Sequence, residues 1–397
     1  MYSQAHDRVQ MWMPEAVGQN AQRTFNGLVS VIHGNEAVRA LTELCVQVQR
    51  MGDRKAHRVG RLPVPHPLDY DWRFTAASRM LLLEMIERMA LGARGEVVLF
   101  GAPTLFEAAR ATAMAGRCTL VDACPATVSA LKGCGDGRVY GVDILRGEVP
   151  DLSATVVVAD PPWYEEFAQA FLWASARIVE LGGTVLLTTP PLGTRPGIEQ
   201  ECRRVVAFAK DLGLELRGMD QCLRYDSPPF EKNAMRAAGQ SHVAEDWRFG
   251  TLTRFKKVDV SNRTRPNVVS RGSEWVERSA FGVRLRMRRK PSPSTRNPRL
   301  VTITEGDVLD SVSRRDPRRE HVDVWTSGNR VFACGDTETF IWIVEAIEAG
   351  RPSDAYVEAA LARQLAAVEQ EAVIQTTEQA SAVISCELEE YVLAWEG

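Results

Sequence analysis

The chain has 397 residues, 48 Lys and Arg against 51 Asp and Glu, and a formal charge of −3; 45% of its residues are hydrophobic and 25% charged. That balance excludes collagen-like, mucin-like and wholly disordered chains, and the length suits one large domain or two to three modest ones. The charge is unevenly spread: Arg254 to Arg299 carries fourteen basic residues against three acids, a balance of +11, and Gly335 to the end carries thirteen acids against Arg351 and Arg363, a balance of −11.

In chain order, Ala21 to Met51 spaces its apolar residues by three and four, which predicts helix, with Gly34 and Asn35 dividing it in two. Arg54 to Pro67, with three prolines, reads as a turn or linker. Thr75 can cap a helix running to about Leu91. An alternation then begins. Val97 to Phe100, Cys118 to Val121, Arg138 to Val142, Thr155 to Ala159 and Gly183 to Thr189 read as strands. Leu105 to Ala115, Pro125 to Leu131, Phe167 to Leu181 and Ile198 to Leu212 read as the helices between and after them. Apolar strands alternating with helices describe crossover units and a parallel sheet. Leu214 to Leu223 and Trp247 to Val258 predict a strand pair closing that sheet, with a polar loop at 225–239 between them.

Beyond residue 260 the pattern changes. Ser261 to Ser273 is polar and Arg-rich, and Pro291 to Pro298 reads as a loop. Phe281 to Arg288 alternates Val283, Leu285 and Met287 with Arg284, Arg286 and Arg288, which predicts a half-buried strand with a basic exposed face. Val322 to Ala333 reads as a hairpin turning at Ser327-Gly328-Asn329, and Thr337 to Ala349 and Pro352 to about Ala372 read as helices. The expected architecture is α/β: a doubly wound, mostly parallel sheet at 68–260, with a helical N-terminal extension at 1–67 and a small C-terminal α+β accessory domain at 261–397.

In such a sheet, ligands collect outside the strand C-termini at the point where the strand order reverses. Gly101 closes one strand, and Asp122 closes the next, where a carboxylate can accept both hydroxyls of a ribose. Asp143 offers another acid at the rim beside Ile144, which could cover an adenine face. Taken singly, each acid could equally be a surface or capping carboxylate. The glycine-rich run 133–137 precedes a strand instead of following one and reads as a loop.

The sharpest signal is Asp160-Pro161-Pro162-Trp163-Tyr164 after the strand VVVA. Asp160 can accept from an amine, the prolines fix the turn and expose carbonyls, and Trp163 or Tyr164 can stack on a planar ring. For an amine attacking a sulfonium methyl, such acceptors orient the lone pair and stabilise the charge that develops on nitrogen.

A glycine after the first strand, acids after the second and third, and DPPWY after the fourth resemble the class I S-adenosylmethionine-dependent methyltransferases over roughly Asp71 to Val258. The resemblance implies that Gly101, Asp122 and Asp143 bind S-adenosylmethionine and that Asp160, Pro161, Pro162 and Trp163 face the acceptor nitrogen, with adenine N6 in nucleic acid the expected target. Arg73 is a candidate for the methionine carboxylate. Tyr164, Tyr225, Phe230, Lys232 and Asn233 are candidate substrate contacts. The first loop departs from the family pattern: it has a single glycine, and Pro103 removes an N–H. The layout is also similar to aminopropyltransferases of the branched polyamine synthase type, although the run of acids in their first loop is missing. A catalytically inactive, complex-forming protein with the same fold is the reading of a different class. Ser227-Pro228-Pro229-Phe230 resembles the SPPY motif of cytosine N4 methyltransferases, without the helix and parallel strand that follow DPPWY.

The basic stretch 254–299 could contact DNA or RNA phosphates, or could pair with the acidic C-terminal helices. Eight Cys without a CxxC pair, six His without HxH or HExxH spacing, and no Walker loop leave disulfide-scaffold, metal and P-loop readings unsupported. No window approaches 18 consecutive apolar residues, and Met1 to Met13 lacks a signal-peptide pattern, so a cytoplasmic protein without a membrane is expected.

Overall fold

The computed structural model describes residues 32, 35–55, 62–90, 95–132, 138–244, 246–268, 274–289, 297–349 and 370–396. The expected helix at 21–31, the glycine-rich loop 133–137, the loop 291–296 and the helix at 352–369 lie outside these. The chain forms two compact units, one of Val59–Pro228 with Ser241–Arg271, the other of Met1–Arg58, Pro229–Gln240 and Gly272–Gly397.

The first unit is built on an eight-stranded sheet. Its strands are β1 (Arg73–Phe74), β2 (Val97–Phe100), β3 (Cys118–Asp122), β4 (Arg138–Gly141), β5 (Ala154–Ala159), β6 (Val179–Thr189), β7 (Leu214–Asp226) and β8 (Arg248–Lys257). The order is β1-β7-β8-β6-β5-β2-β3-β4. β2 to β6 run parallel, and β8 is antiparallel to both β6 and β7.

Strand periodicity explains why β2 is apolar at every position and β5 at every position but Thr155. Val97, Leu99, Val156 and Val158 face a core that Leu82 and Ile86 of helix Ala76–Ala90 and Leu105 and Phe106 of helix Pro103–Arg110 complete. Val98, Phe100, Val157 and Ala159 face the opposite core, with Phe171 and Leu172 of helix Glu165–Ile178 and Val205 and Phe208 of helix Ile198–Asp211. Burial on both faces is what a parallel sheet between crossover helices requires. Thr75 caps the first of these helices, its hydroxyl accepting from the Ser78 N–H at 3.3 Å.

Three expectations about local structure are corrected. The helix expected to reach Leu181 ends at Ile178, and Val179 opens β6; β-branched Val179 followed closely by Gly182, at φ +79°, favours extended chain over another helical turn. The 225–239 segment is not a loop: Pro229–Ala237 is a helix, so a helix does follow Ser227-Pro228. Pro229 sits at its start, where no N–H is needed, and Phe230 and Ala234 are buried.

The third correction concerns the second unit. Its sheet has the order β11-β13-β12-β10-β9, from β9 (Trp275–Ala280), β10 (Val283–Arg288), β11 (Leu300–Thr302), β12 (Val324–Thr326) and β13 (Val331–Cys334). The β12–β13 hairpin matches expectation and turns through Asn329 at φ +70°. β10 has no exposed basic face. Arg284 is buried, and its guanidinium forks onto Glu277 of β9 at 2.7 and 2.9 Å; Arg286 reaches the same carboxylate at 2.9 Å. Arg288 donates to the carbonyls of Glu320 and Arg319. A half-buried strand keeps arginines only where an acid or carbonyls receive them. Helices Thr337–Ala349 and Gln370–Glu396 complete the unit, and helix Glu36–Lys55 packs on Gln370–Glu396.

Because Glu277 receives two guanidiniums, Glu277→Ala should cost about 3 kcal/mol in urea unfolding by stranding buried charge. Removing the exposed Arg88–Glu84 pair should cost under about 1 kcal/mol in the same assay.

Candidate active site

The sheet order reverses between β2, which leads outward to β3, and β5, which leads to β6 on its other side. The ends of these strands are laced together. The Asp160 N–H donates to the Phe100 carbonyl at 3.0 Å, and the Gly101 N–H to the Val121 carbonyl at 3.0 Å. Gly101 stands at φ +66°, and a Cβ there would lie 3.1 Å from the Asp160 carbonyl oxygen. Conformation and space both demand glycine at this turn. Pro103 then opens helix Pro103–Arg110 at its first turn.

Asp122 ends β3, and its Oδ1 accepts from the Cys124 N–H at 2.8 Å. Burial pushes its carboxyl up to about 7; the Cys124 N–H opposes this, Asp71 and Asp69 add to it, and Arg73 opposes it. Asp143 is more committed. Its Oδ1 accepts from the Leu145 N–H at 2.9 Å, capping a 3-10 turn, and it pairs with Arg146 at 3.2 Å.

Asp160 follows β5. The hydroxyls of Thr188, on β6, and Tyr225, on β7, both donate to its Oδ1, the latter at 2.8 Å. Burial nevertheless raises the carboxyl to about 7, with the two hydroxyls opposing and Asp71 adding. Burial and the adjacent Asp160 also raise the Tyr225 phenol well above its ordinary range, so it stays a donor. Tyr225 is therefore a buried support for Asp160. Pro161 is buried, and the Pro162 carbonyl accepts from the Tyr164 N–H at 2.7 Å.

The two aromatic rings already have neighbours. Trp163 meets Tyr225 edge-on at 5.5 Å and carries the Arg248 guanidinium 5.1 Å from its centroid. Tyr164 packs edge-on against Tyr70 and Phe167, with Arg195 5.7 Å from its centroid. Arg195 also donates to the Trp163 carbonyl at 2.8 Å, which ties the turn to the segment after β6.

The segment 66–73 brings Asp69 and Asp71 to the site along with Arg73, the candidate carboxylate receptor. Asp69 accepts from the Cys124 thiol, and Asp71 pairs with Arg73 at 2.8 Å. Arg73 donates as well to the Pro63 carbonyl and is fixed by β1, whose pairing with β7 sets Phe74 opposite Tyr225. Asp71 acts electrostatically on both Asp122 and Asp160. The spacing of acids in Asp69-Tyr70-Asp71, just ahead of a strand, was the available signal.

Gly101, Asp122, Asp160, Trp163, Tyr164, Tyr225 and Arg73 thus share one unit. Phe230, Lys232 and Asn233 belong to the other. Phe230 is core there, and the Asn233 amide donates to the Gly328 carbonyl at 2.9 Å and to Glu390 at 2.7 Å. Among the described residues no cluster of His, Cys, Asp and Glu could hold a metal ion, and no helix is long and apolar enough to cross a membrane.

Neither a protein-family model nor a curated protein matches the sequence. Solved structures similar to it include the branched-chain polyamine synthase of Thermus thermophilus in complex with N4-aminopropylspermidine and 5'-methylthioadenosine. It is 14% identical with a TM-score of 0.45, over 56% of this chain and 67% of that one. Another is the N-methyltransferase NodS of Bradyrhizobium japonicum with S-adenosyl-L-homocysteine, 13% identical with a TM-score of 0.30, over 47% and 89%. The strand order itself, with β8 inserted antiparallel between β6 and β7, defines a Rossmann-like fold of the class I methyltransferase type.

An aspartate with a raised native pKa binds extra protons in the folded state between about pH 4 and pH 7, so it costs stability as pH rises through that window. Asp160→Asn, which keeps an acceptor for Thr188 and Tyr225, should therefore raise Tm at pH 8, by roughly 2–4 °C per kcal/mol relieved. The gain should fade toward pH 4, as differential scanning calorimetry across pH would measure.

Proposed function

We propose that this sheet unit transfers an alkyl group from the sulfonium of an adenosyl-type donor to an amine held at Asp160. The reading rests on four carboxylates, Asp69, Asp71, Asp122 and Asp160, gathered around the strand ends. Such a group suits a cationic donor and an acceptor nitrogen that becomes cationic as it is alkylated.

The residues present fit an adenosyl group. Asp122 is placed to receive ribose hydroxyls at the end of β3, and Gly101 lets the backbone turn close beside the next strand end. They fit a methionine carboxylate less well, since Arg73 is engaged by Asp71 and Pro103 has no N–H to offer. A decarboxylated donor, with an amine in place of the amino acid end, meets acids there instead. We accordingly favour aminopropyl transfer over methyl transfer. Methylation of adenine N6 in nucleic acid has less support, because Trp163 carries Arg248 on its ring and β10 spends Arg284 and Arg286 on Glu277.

The bound donor supplies an electrophilic carbon next to positive sulfur. Asp160 accepts an N–H of the acceptor amine, which turns the nitrogen lone pair toward that carbon. As the C–N bond forms and the C–S bond breaks, nitrogen becomes an ammonium, and Asp160 takes the proton it sheds. A carboxylate with a pKa near 7 suits that task at neutral pH. Tyr225 and Thr188 are positioning residues that hold its other oxygen.

Isothermal titration calorimetry and product analysis test this. We expect 5'-methylthioadenosine to bind at least tenfold more tightly than S-adenosylhomocysteine, and decarboxylated S-adenosylmethionine to be consumed with an amine acceptor. Asp160→Asn should lower turnover at least about 10²-fold while keeping 5'-methylthioadenosine binding. The reverse affinity order, with methyl incorporation into DNA or RNA, would overturn the aminopropyl choice. Binding of neither nucleoside would instead favour an inactive, complex-forming protein.

A further inference from the structure

The strand β8 begins at Arg248, which its pairing with β7 sets directly opposite Tyr225. Residues opposite one another in an antiparallel pair share a face, so this cation stands beside the phenol that supports Asp160. Gly250, two residues on, lies on the same face and leaves it open: a Cβ there would come 2.9 Å from the Tyr225 ring and 3.5 Å from that of Trp163. The Arg248 guanidinium then lies 4.5 Å from the Trp72 ring centroid and 5.1 Å from that of Trp163, with exposed Trp247 at 5.2 Å. Trp72 follows Asp71 directly, and Trp163 belongs to the DPPWY turn, so one side chain touches rings from both halves of the site. Both rings are half-buried against the same core.

We infer that Arg248 is a positioning residue for the transfer: it clamps Trp163 of the acceptor turn to Trp72 of the segment that carries Asp71. The inference rests on the transferase reading and adds a residue to it. A guanidinium is planar and weakly hydrated, so it lies against aromatic faces better than an ammonium does. Other anchors hold the two segments by their ends: Arg195 donates to the Trp163 carbonyl at 2.8 Å, and Arg73 pairs with Asp71 at 2.8 Å. Neither of these sets the angle of an indole ring. Arg248 does, and because Trp163 meets Tyr225 edge-on at 5.5 Å, that angle bears on the hydroxyl that donates to Asp160. Trp163 is then a fixed wall beside the acceptor nitrogen, set before any ligand binds.

The test uses the full-length protein labelled with 5-fluorotryptophan, with Trp72→Phe and Trp163→Phe assigning the two fluorine resonances. Arg248→Met keeps the aliphatic stem and removes the planar cation. It should move the Trp72 and Trp163 resonances together and leave in place that of Trp325, buried in the other unit, which reports an intact fold. In turnover with decarboxylated S-adenosylmethionine and spermidine or propylamine, Arg248→Met should lower kcat/KM for the amine about 10- to 10²-fold while 5'-methylthioadenosine affinity is kept. Arg248→Lys, which restores charge without the plane, should recover part of that loss. A Trp163 resonance that stays put in Arg248→Met, or amine kcat/KM equal to that of the unmodified protein, would overturn the inference. So would a fall in nucleoside affinity that matches the fall in turnover, since that marks a merely structural role. The transferase reading is scored separately, by 5'-methylthioadenosine binding to the unmodified protein. If that binding is absent while both resonances move, the transferase reading fails and the clamp between the rings stands.

Discussion

Asp160 is a carboxylate placed where water hydrates it poorly, and the arrangement around it follows from that placement. Two hydroxyls hold one of its oxygens, from Thr188 on the neighbouring parallel strand and from Tyr225 on a strand that runs beyond the parallel core. Tyr225 is held in turn by Phe74, 4.9 Å away between ring centroids, and by the close approach of Gly250, where a Cβ would come within 2.9 Å of its ring. The antiparallel edge of the sheet, β1, β7 and β8, therefore does more than close the fold. It supplies the rigid backing that a half-buried acid needs if its orientation is to be fixed before any ligand arrives.

The same placement sets a tension between stability and chemistry. Asp122 and Asp160 are each pushed up to about 7 by burial, and Asp71 raises both further. Grouped carboxylates that oppose one another in this way are a poor solution for folding alone. They become a good one when a cation is to be received, because the ligand then provides the charge that the protein withholds. Arg73 cannot play that part for the whole group, since it is already held by Asp71 and the Pro63 carbonyl.

Much of the sheet unit was legible because its elements obey short-range rules. Runs such as Val97–Phe100 and Val156–Ala159 are apolar at every position because both faces are covered, and Gly101 and Asp160 follow them directly. The site was legible wherever a residue follows a strand directly, as Gly101, Asp122 and Asp160 do. It was not legible where pairing is long-range. Nothing near Tyr225 in sequence reveals that its hydroxyl reaches a carboxylate 65 residues away, and its neighbours Phe230 and Asn233, which looked equivalent, are built into the other unit. The basic strand failed for the same reason: an alternation of arginines looks solvated until the partner strand is found to place Glu277 beneath two of them. Helix Gln370–Glu396 escaped notice because its apolar and polar residues are poorly segregated, with Glu387 and Thr377 buried beside Ile384 and Leu388.

The Arg73–Asp71 pair is where the methyl and aminopropyl readings part. An arginine beside a nucleoside site is ordinarily taken as the receptor for an amino acid carboxylate, because its planar fork matches that group. Here the fork already has a carboxylate, supplied two residues earlier, and β1 pairing with β7 fixes the backbone that holds both. A donor ending in a carboxylate would have to displace Asp71 and leave it beside Asp122 and Asp160 without its counter-ion. A donor ending in an amine needs no such exchange: it adds positive charge among acids that lack it and leaves the internal pair intact. Under the proposed transferase reading, the charge of the group at the donor's end is what these side chains would discriminate.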